Sequence, residues 1–156
     1  MSKSLKRVAK EAADLGLEIV IIHLDVPTKT AQEAADAMDC DVDQILKSII
    51  FLGAETQTCI LFMTAGGNRV CTEKASALAG EPLIRADAAV IRAQTGFAIG
   101  GVSPLGHISD VRKFMDQTLM TFADIWAAAG TPHSMFSIDP QVLQSATTAI
   151  VSDFTL

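Results

Sequence analysis

The chain has 156 residues, of which 49% are hydrophobic and 19% charged, and its formal net charge is −6. A globular chain of this length buries roughly 68–70% of its unfolded surface, and no run of 18 apolar residues is present, so the composition excludes disordered, collagen-like and membrane-spanning classes. The acidic net charge also argues against a protein that coats nucleic acid by bulk electrostatics, and we expect no DNA partner.

The cysteines and the N-terminus both indicate a cytoplasmic protein. The chain has an odd number of cysteines, Cys40, Cys59 and Cys71, and no CxxC pair, which is typical of a protein in a reducing compartment. The first residues carry a charge every few positions and lack the apolar stretch of a secretory signal. We therefore expect the protein to stay in the cytoplasm.

An amphipathic helix is predicted from residue 3 to residue 15, ended by Gly16. Its basic residues, Lys3, Lys6, Arg7 and Lys10, share one face of the helical wheel. This face is either solvated or a contact for nucleic acid. Because Asp14 falls on the same side, we favour a solvated face.

The next elements alternate between strand and helix. Residues 18–24 are β-branched and predict a strand, and Thr30 with Glu33 forms a capping box for a helix. Residues 46–52 are apolar on both faces, which indicates a central strand, and a polar turn links them to residues 59–63 as a hairpin. We expect Gly66-Gly67-Asn68-Arg69 to be a further hairpin turn.

The second half of the chain predicts three short helices and several strands. Thr72 and Asp87 are candidate caps of helices that end at Gly80 and Gly96, and Asp139-Pro140 opens a last helix. The strand-like segments are 82–85, 113–120, 125–129 and 135–138. No linker or repeat interrupts the chain, so residues 1–156 predict a single α+β domain.

Standard catalytic and metal-binding motifs are absent from the sequence. HExxH, GxSxG, Walker and GxGxxG patterns do not occur. His23, His107 and His133 have no Cys, Asp or Glu at ligand spacing, so we expect neither a metal nor another cofactor.

Lys47 is the first residue that the strand pattern does not explain. It shares a face with Ile49 and Phe51 in a strand that should be buried on both sides. Its ammonium must therefore reach solvent along its aliphatic stem or meet an anion in a pocket.

The segment from Gly100 to Gly106 has three glycines and a proline around one hydroxyl, that of Ser103. Glycine lets a backbone approach a ligand closely, and its amides can bind an anion or an oxyanion. The same composition also serves a tight turn, so both interpretations remain open.

These motifs, taken in order, resemble a known family. The series TAQEAA, QILKSIIF, TAGGNRV, TGFAIGGVSPLG and DIWAAAGTPHSMFSIDPQVL is similar to the YbaK and prolyl-tRNA-synthetase-associated editing domains, the INS-like deacylases. The resemblance runs from about residue 19 to the C-terminus. Its most specific parts are Lys47 and the GxxxP loop from Gly100 to Pro104.

The resemblance implies a mixed, largely antiparallel, barrel-like sheet surrounded by helices. It also implies a free-standing hydrolase that cleaves the ester between a wrong, small amino acid and tRNA(Pro). The implied partners are the acceptor end of the mischarged tRNA and prolyl-tRNA synthetase. The alternative is a module of the same fold that binds aminoacyl-tRNA, a nucleotide or a synthetase without turnover, which the acidic net charge and the missing catalytic base leave open.

The resemblance assigns Lys47, Gly100 and Gly101 to catalysis. The loop residues Val102, Ser103 and Pro104 would hold the aminoacyl-adenosine end, and Thr30, Gly130 and His133 complete the expected substrate-binding set. His133 either lines the pocket entrance or closes a turn, and we favour the turn.

The segment from Ala128 to His133 departs from the family's cysteinyl-tRNA branch. That branch has Ser-Gly-Gly ahead of Gly-Leu-Asp, whereas this chain has Ala128-Ala129-Gly130 and no aspartate at Met135. This departure puts specificity for cysteine in doubt.

Overall fold

Helices surround two β-sheets in the computed structural model, which describes residues 2–156. Across this range the helices are α1 Lys3–Asp14, α2 Ala31–Met38, α3 Thr72–Ala79, α4 Ala88–Thr95 and α5 Pro140–Thr147. The strands are β1 Ile21–His23, β2 Leu46–Gly53, β3 Cys59–Ala65, β4 Leu83–Arg85, β5 Arg112–Asp116, β6 Ile125–Ala128, β7 Ser134–Ile138 and β8 Ile150–Ser152. Short 3₁₀ turns span Val42–Gln44 and Gln117–Thr121.

The larger sheet has the strand order β4-β2-β3-β5-β8, and the smaller one has the order β1-β7-β6. Four strand pairs are antiparallel, while β3–β5 and β5–β8 are parallel. An isolated bridge between Ile45 and Trp126 joins the two sheets just before β2. The predicted α+β fold with mixed, largely antiparallel strand pairing is confirmed, and the strands form two sheets instead of one closed barrel.

Side-chain caps begin most helices where the sequence predicts them. Thr30 Oγ1 accepts the Glu33 N–H at 3.1 Å, and Asp87 and Asp139 cap α4 and α5 in the same way. The Glu33 carboxylate bonds the N–H of Lys29 instead of that of Thr30, so the capping box is shifted by one residue. In α3 the cap position is Cys71, not the expected Thr72.

The predicted hairpin of β2 and β3 is confirmed, with Leu52 opposite Cys59. Its turn is held by Glu81, whose buried carboxylate accepts the N–H groups of Glu55 and Thr56 at 2.9 Å each. The β2 strand is flanked on both sides, by β3 and β4, as a central strand should be. Its middle residues are only half-buried, because several of them line a cavity.

Several strands and one turn also differ from the predictions. The strand expected over 18–24 is limited to Ile21–His23, and that expected over 113–120 stops at Asp116 and continues as a 3₁₀ turn. The last strand, β8, was not predicted. The segment 66–69 is not a hairpin turn, because the chain after it enters α3 instead of returning along β3.

Strand β3 is buried along its whole length and separates two apolar clusters. Leu61 and Met63 belong to the main cluster, which also contains the buried face of α1. On the other side Phe62 stacks on Phe114, with ring centroids 5.2 Å apart. In the described range, no helix has the length and apolar character needed to cross a membrane.

Candidate active site

A cavity of about 850 Å³ lies between β2, α2, the 66–69 turn, β4 and the glycine loop. Its wall contains four of the residues that the sequence predicts for the site: Thr30, Lys47, Gly100 and Val102. These residues are up to 72 positions apart in the chain. The fold therefore brings the lysine and the glycine loop to one place.

The cavity wall is basic although the chain as a whole is acidic. Its charged side chains are Lys29, Lys47, Arg69 and Arg85. No acidic residue is in the wall, within the part of the chain that the structure describes. Such a site attracts an anionic group.

Lys47 stands on β2 opposite Thr64 of β3 and is half-buried. Among residues 2–156 its ammonium has no hydrogen-bond or ion-pair partner within the distances that define one. Burial lowers its pKa, and the charge of Arg69 lowers it further, while Asp43 and Asp116 act in the opposite direction. The structure places Lys47 in the cavity wall, and a role in holding an anion stays a prediction.

The 66–69 turn, which sequence reasoning assigned to a hairpin, forms part of this wall. Asn68 anchors it by donating to Asp116 Oδ2 at 2.9 Å and to Thr118 Oγ1 at 3.1 Å. The N–H of Gly67 donates to Asp43 Oδ1 at 2.8 Å. This packing fixes the backbone that carries Arg69.

The available sequence signal for this turn was a pair of glycines followed by two polar residues at the end of a buried strand. That composition serves a hairpin and a ligand-binding turn equally well. Only the position of the next element distinguishes the two.

In the glycine loop, Gly100 and Val102 line the cavity, and Gly101 closes a turn behind them. The Gly101 N–H donates to Ala98 O at 3.1 Å, so this amide is already engaged. The N–H groups of Gly100 and Val102 have no acceptor among the described residues. They are therefore the better candidates for binding an oxyanion.

Two of the loop's glycines are required by its geometry. Gly100 has φ +91°, a value that L side chains rarely adopt. A Cβ on Gly101 would lie 2.9 Å from Gly130 O and 3.0 Å from Thr131 Cα, both backbone atoms.

Ser103 and Pro104 are buried and lie outside the cavity wall. Ser103 Oγ accepts a hydrogen bond from the N–H of Leu105 at 3.3 Å, and the Ser103 carbonyl accepts one from His107 Nε2 at 2.7 Å. His107 must therefore carry its proton on Nε2, which leaves Nδ1 buried without a partner in the described chain. Burial lowers the pKa of His107 to about 4, helped by the charges of Lys113 and Arg7 and opposed by the Ser103 hydrogen bond.

Gly130 and His133 also lie outside the wall. Gly130 has φ +101° and packs against the backbone of α1. His133 is exposed, and its carbonyl accepts the N–H of Leu24 at 2.7 Å, in a segment that connects β6 and β7. This geometry agrees with the turn, and a role of either residue in substrate binding stays a prediction.

The basic face of α1 is solvated only in part. Lys10 is exposed and pairs with Asp14 at 2.7 Å, as expected. Arg7 is half-buried and bonds the carbonyls of Gly96 and Gly106, so the prediction of a solvated side chain is wrong for this residue. In residues 2–156 no group of three or more His, Cys, Asp or Glu side chains could hold a metal ion.

Comparison with known proteins places these features in context. The aminoacyl-tRNA editing domain model matches residues 25–146. The "Uncharacterized protein YwhH" of Bacillus subtilis (strain 168) is 27% identical over 140 residues, which are 90% of this chain and 88% of the relative.

Two solved structures are similar over nearly their whole length. The crystal structure of a "putative trans-editing enzyme for prolyl tRNA synthetase" is 38% identical, with a TM-score of 0.93, and the match covers 100% of this chain and 99% of that one. The structure of hypothetical protein APE2540 is 25% identical, with a TM-score of 0.89 and coverages of 96% and 99%.

Proposed function

Because this chain belongs to the aminoacyl-tRNA editing domain family, we propose that it is a deacylase that hydrolyses the ester bond of mischarged tRNA in trans. The proposed substrate is tRNA(Pro) carrying a small non-cognate amino acid. The 38% identical trans-editing structure supports this choice of tRNA and makes prolyl-tRNA synthetase a reasonable further partner.

The observation that carries the proposal is the wall of the cavity. It combines four cations with two loop amides that lack an acceptor among residues 2–156. The 3′ end of an aminoacyl-tRNA presents complementary groups, namely phosphates and an ester carbonyl. Lys47 and Arg69 would hold a phosphate, and the amides of Gly100 and Val102 would face the carbonyl oxygen.

The reaction needs little from the protein beyond positioning and electrostatics. A water molecule attacks the carbonyl carbon of the ester, and the carbonyl oxygen becomes an oxyanion. The bond to the ribose oxygen then breaks, that oxygen takes a proton, and the products are a free amino acid and a tRNA with a free ribose hydroxyl. An aminoacyl ester is already activated, so oriented amides and a placed water can supply the rate enhancement.

Ser103 is a poor candidate for a covalent nucleophile. Its side chain is buried, and its hydroxyl oxygen accepts the Leu105 N–H. A nucleophilic serine needs an adjacent base and access to substrate. These contacts favour attack by water.

The apolar part of the wall includes Ala31, Ala34, Val42, Ile45 and Met135, together with larger residues such as Ile49, Ile50 and Ile99. Met135 lies where the cysteinyl-tRNA branch has an aspartate, and it adds no charge to this surface. We therefore propose alanine or 2-aminobutyrate, rather than cysteine, as the amino acid that is removed.

A binding module without turnover is the second candidate function. It is favoured because no carboxylate of the described residues lines the cavity, where it could act as a general base. The proposed hydrolysis must then place its water without one, for example with a ribose hydroxyl of the substrate.

A deacylation panel separates the two functions. Wild-type protein is mixed with tRNA(Pro) charged with alanine, 2-aminobutyrate, serine, cysteine or proline, and amino-acid release is followed against buffer alone. Multiple turnovers on alanine or 2-aminobutyrate, with prolyl-tRNA spared, would support the hydrolase. Stoichiometric binding of Ala-tRNA(Pro) without release above the buffer rate would support the binding module.

A further inference from the structure

The first helix, α1, lies against the glycine loop from the side away from the cavity residues just described. Arg7 donates from Nη2 to Gly96 O at 2.6 Å and from Nε to Gly106 O at 3.0 Å. Gly96 ends α4 and Gly106 is the last residue of the glycine loop, Gly100–Gly106, so these two carbonyls mark the ends of segment 96–106. One guanidinium therefore joins both ends of the segment that carries Gly100 and Val102.

Neighbouring contacts hold the guanidinium in this place. Arg7 Cζ lies 5.0 Å from the centroid of the buried Phe97 ring, a cation–π distance. Glu11, one turn further along α1, accepts the N–H of Gly106 at 2.7 Å. The loop end is thus bonded through its carbonyl to Arg7 and through its amide to Glu11.

A close approach of the two backbones makes these bonds possible. Gly106 has φ +83°, and a Cβ there would lie 2.8 Å from the backbone nitrogen of Val8. Gly96 has φ +83°, and a Cβ there would lie 2.6 Å from Arg7 Nη2. A side chain at position 106 would collide with the backbone of α1, and one at position 96 would displace the Arg7 guanidinium.

We propose that Arg7 is a positioning residue of the deacylation reaction, acting through the glycine loop. By fixing the carbonyls of Gly96 and Gly106 it sets the distance between the loop amides and Lys47 across the cavity. The inference rests on the proposed function. It concerns a helix outside residues 25–146, the part that the family model matches.

The chemistry of the side chain makes the proposal specific to arginine. A guanidinium presents donors in a rigid fork and serves two carbonyls at once, whereas an ammonium on a lysine stem is a single point charge. In a variant without the Arg7 guanidinium the loop would still fold, because hydrogen bonds within it, such as that from Gly101 N–H to Ala98 O, remain. The distance between the loop amides and the Lys47 ammonium would no longer be fixed.

The test compares Arg7→Ala and Arg7→Lys with Lys6→Ala, an exposed cation of the same helix. Single-turnover release from Ala-tRNA(Pro) is measured over a range of protein concentrations, with and without added guanidinium ion. We expect Arg7→Ala to release alanine about 10- to 100-fold more slowly at saturation, with the half-saturating concentration nearly unchanged. Arg7→Lys should recover little, guanidinium should restore part of the rate in Arg7→Ala, and Lys6→Ala should match wild type.

Amide hydrogen exchange supplies a measurement that does not depend on activity. In Arg7→Ala the amides of Gly101, Leu105 and Gly106 should exchange at least about 10-fold faster, whereas Phe62 in β3 keeps its protection. Equal acceleration at Phe62 would show a general loss of stability and overturn the proposal, as would wild-type release by Arg7→Ala. If wild-type protein releases no alanine while the loop amides alone respond, the proposed function fails and the loop contact stands.

Discussion

Lys47 on β2 and Arg69 after β3 face one cavity, and the positive charge of Arg69 lowers the pKa of Lys47 beyond the effect of burial. Two like charges in a partly desolvated site repel each other. Asp43 and Asp116, which lie outside the cavity wall, offset this repulsion only in part, since the pKa of Lys47 stays lowered. A bound phosphate would relieve it, so the arrangement is suited to an anion.

Replacement of Lys47 should remove most of the activity. We expect Lys47→Ala to slow amino-acid release by about 10²-fold or more, because no other ammonium can take its place on β2. Lys47→Arg should restore little, since the guanidinium has a different shape. The measurement is single-turnover deacylation, with circular dichroism to check the fold and Lys74→Ala, an exposed lysine of α3, as the control. A wild-type rate in Lys47→Ala would contradict the assignment.

Substitutions in the glycine loop should separate backbone chemistry from side-chain chemistry. Gly101→Ala would push the loop away from Gly130 and Thr131, and Gly100→Ala would strain a residue at φ +91°. We expect release to fall by about 10²–10³-fold in Gly101→Ala, with unfolding free energy lowered by less than about 2 kcal/mol.

Ser103→Ala serves as the comparison for that experiment. It leaves the buried N–H of Leu105 without its acceptor, so it should cost about 1–3 kcal/mol of stability and change the release rate much less. An abolished rate together with a trapped acyl-serine in wild type would point to a covalent mechanism instead.

Removal of the Asn68 side chain should loosen the turn that carries Arg69. Asn68→Ala deletes the bonds to Asp116 and Thr118, and we expect a loss of about 1–3 kcal/mol, because one partner is a buried carboxylate. Urea denaturation measures the loss. In a double-mutant cycle the effect should shrink in an Asp116→Asn background. A full-sized effect in that background would show that Asn68 acts by another route.

Arg85 should contribute to binding rather than to chemistry. It is exposed at the cavity wall, so Arg85→Ala should weaken binding of the uncharged tRNA acceptor end and lower the slope of log affinity against log salt by about 1. Binding is measured by fluorescence anisotropy at several salt concentrations. The saturated single-turnover rate should change little, and an unchanged salt slope would remove Arg85 from the anion site.

His107 should make the protein less stable in mild acid. Its pKa is about 4 in the folded protein and near 6.5 in the unfolded chain, so the unfolded state binds the proton more readily. The contribution of the neutral ring is complete above pH 6.5 and is lost as the pH falls toward 4. The loss should be of the order of 3 kcal/mol.

The matched variant is His107→Gln, whose side-chain amide can still donate to Ser103 O but does not titrate. The unfolding free energies of wild type and His107→Gln are compared at pH 7 and pH 4.5. The carboxylates are common to both proteins, so their contribution to the pH dependence cancels in the difference. Equal losses in the two proteins would refute the assignment to His107.

The elements that were predicted correctly are those whose sequence signal lies close in the chain to the groups it acts on. The caps Thr30, Asp87 and Asp139 lie within three residues of the amides they bind, so the helices they begin were predicted closely. Lys47 was identified because it is a charged residue on an otherwise apolar strand, and the structure places it in the cavity wall.

Predictions failed where the partner is distant in the chain. A helical wheel cannot show that Arg7 meets carbonyls 89 and 99 residues away. The composition of the 66–69 turn does not reveal where the next element goes, and β8 is defined by its parallel pairing with β5. Interactions of this range depend on the assembled fold.

The glycines at 106 and 130 limit how this protein can be recombined with its relatives. Each lets the backbone of α1 come within about van der Waals contact of its own, near Val8 for Gly106 and near Ser4 for Gly130. A chimera that receives the first helix of a relative must therefore keep both glycines. A relative's segment with a side chain at position 106 or 130 would prevent α1 from packing against it. The first helix, the glycine loop and the segment after β6 that holds Gly130 must therefore be exchanged together.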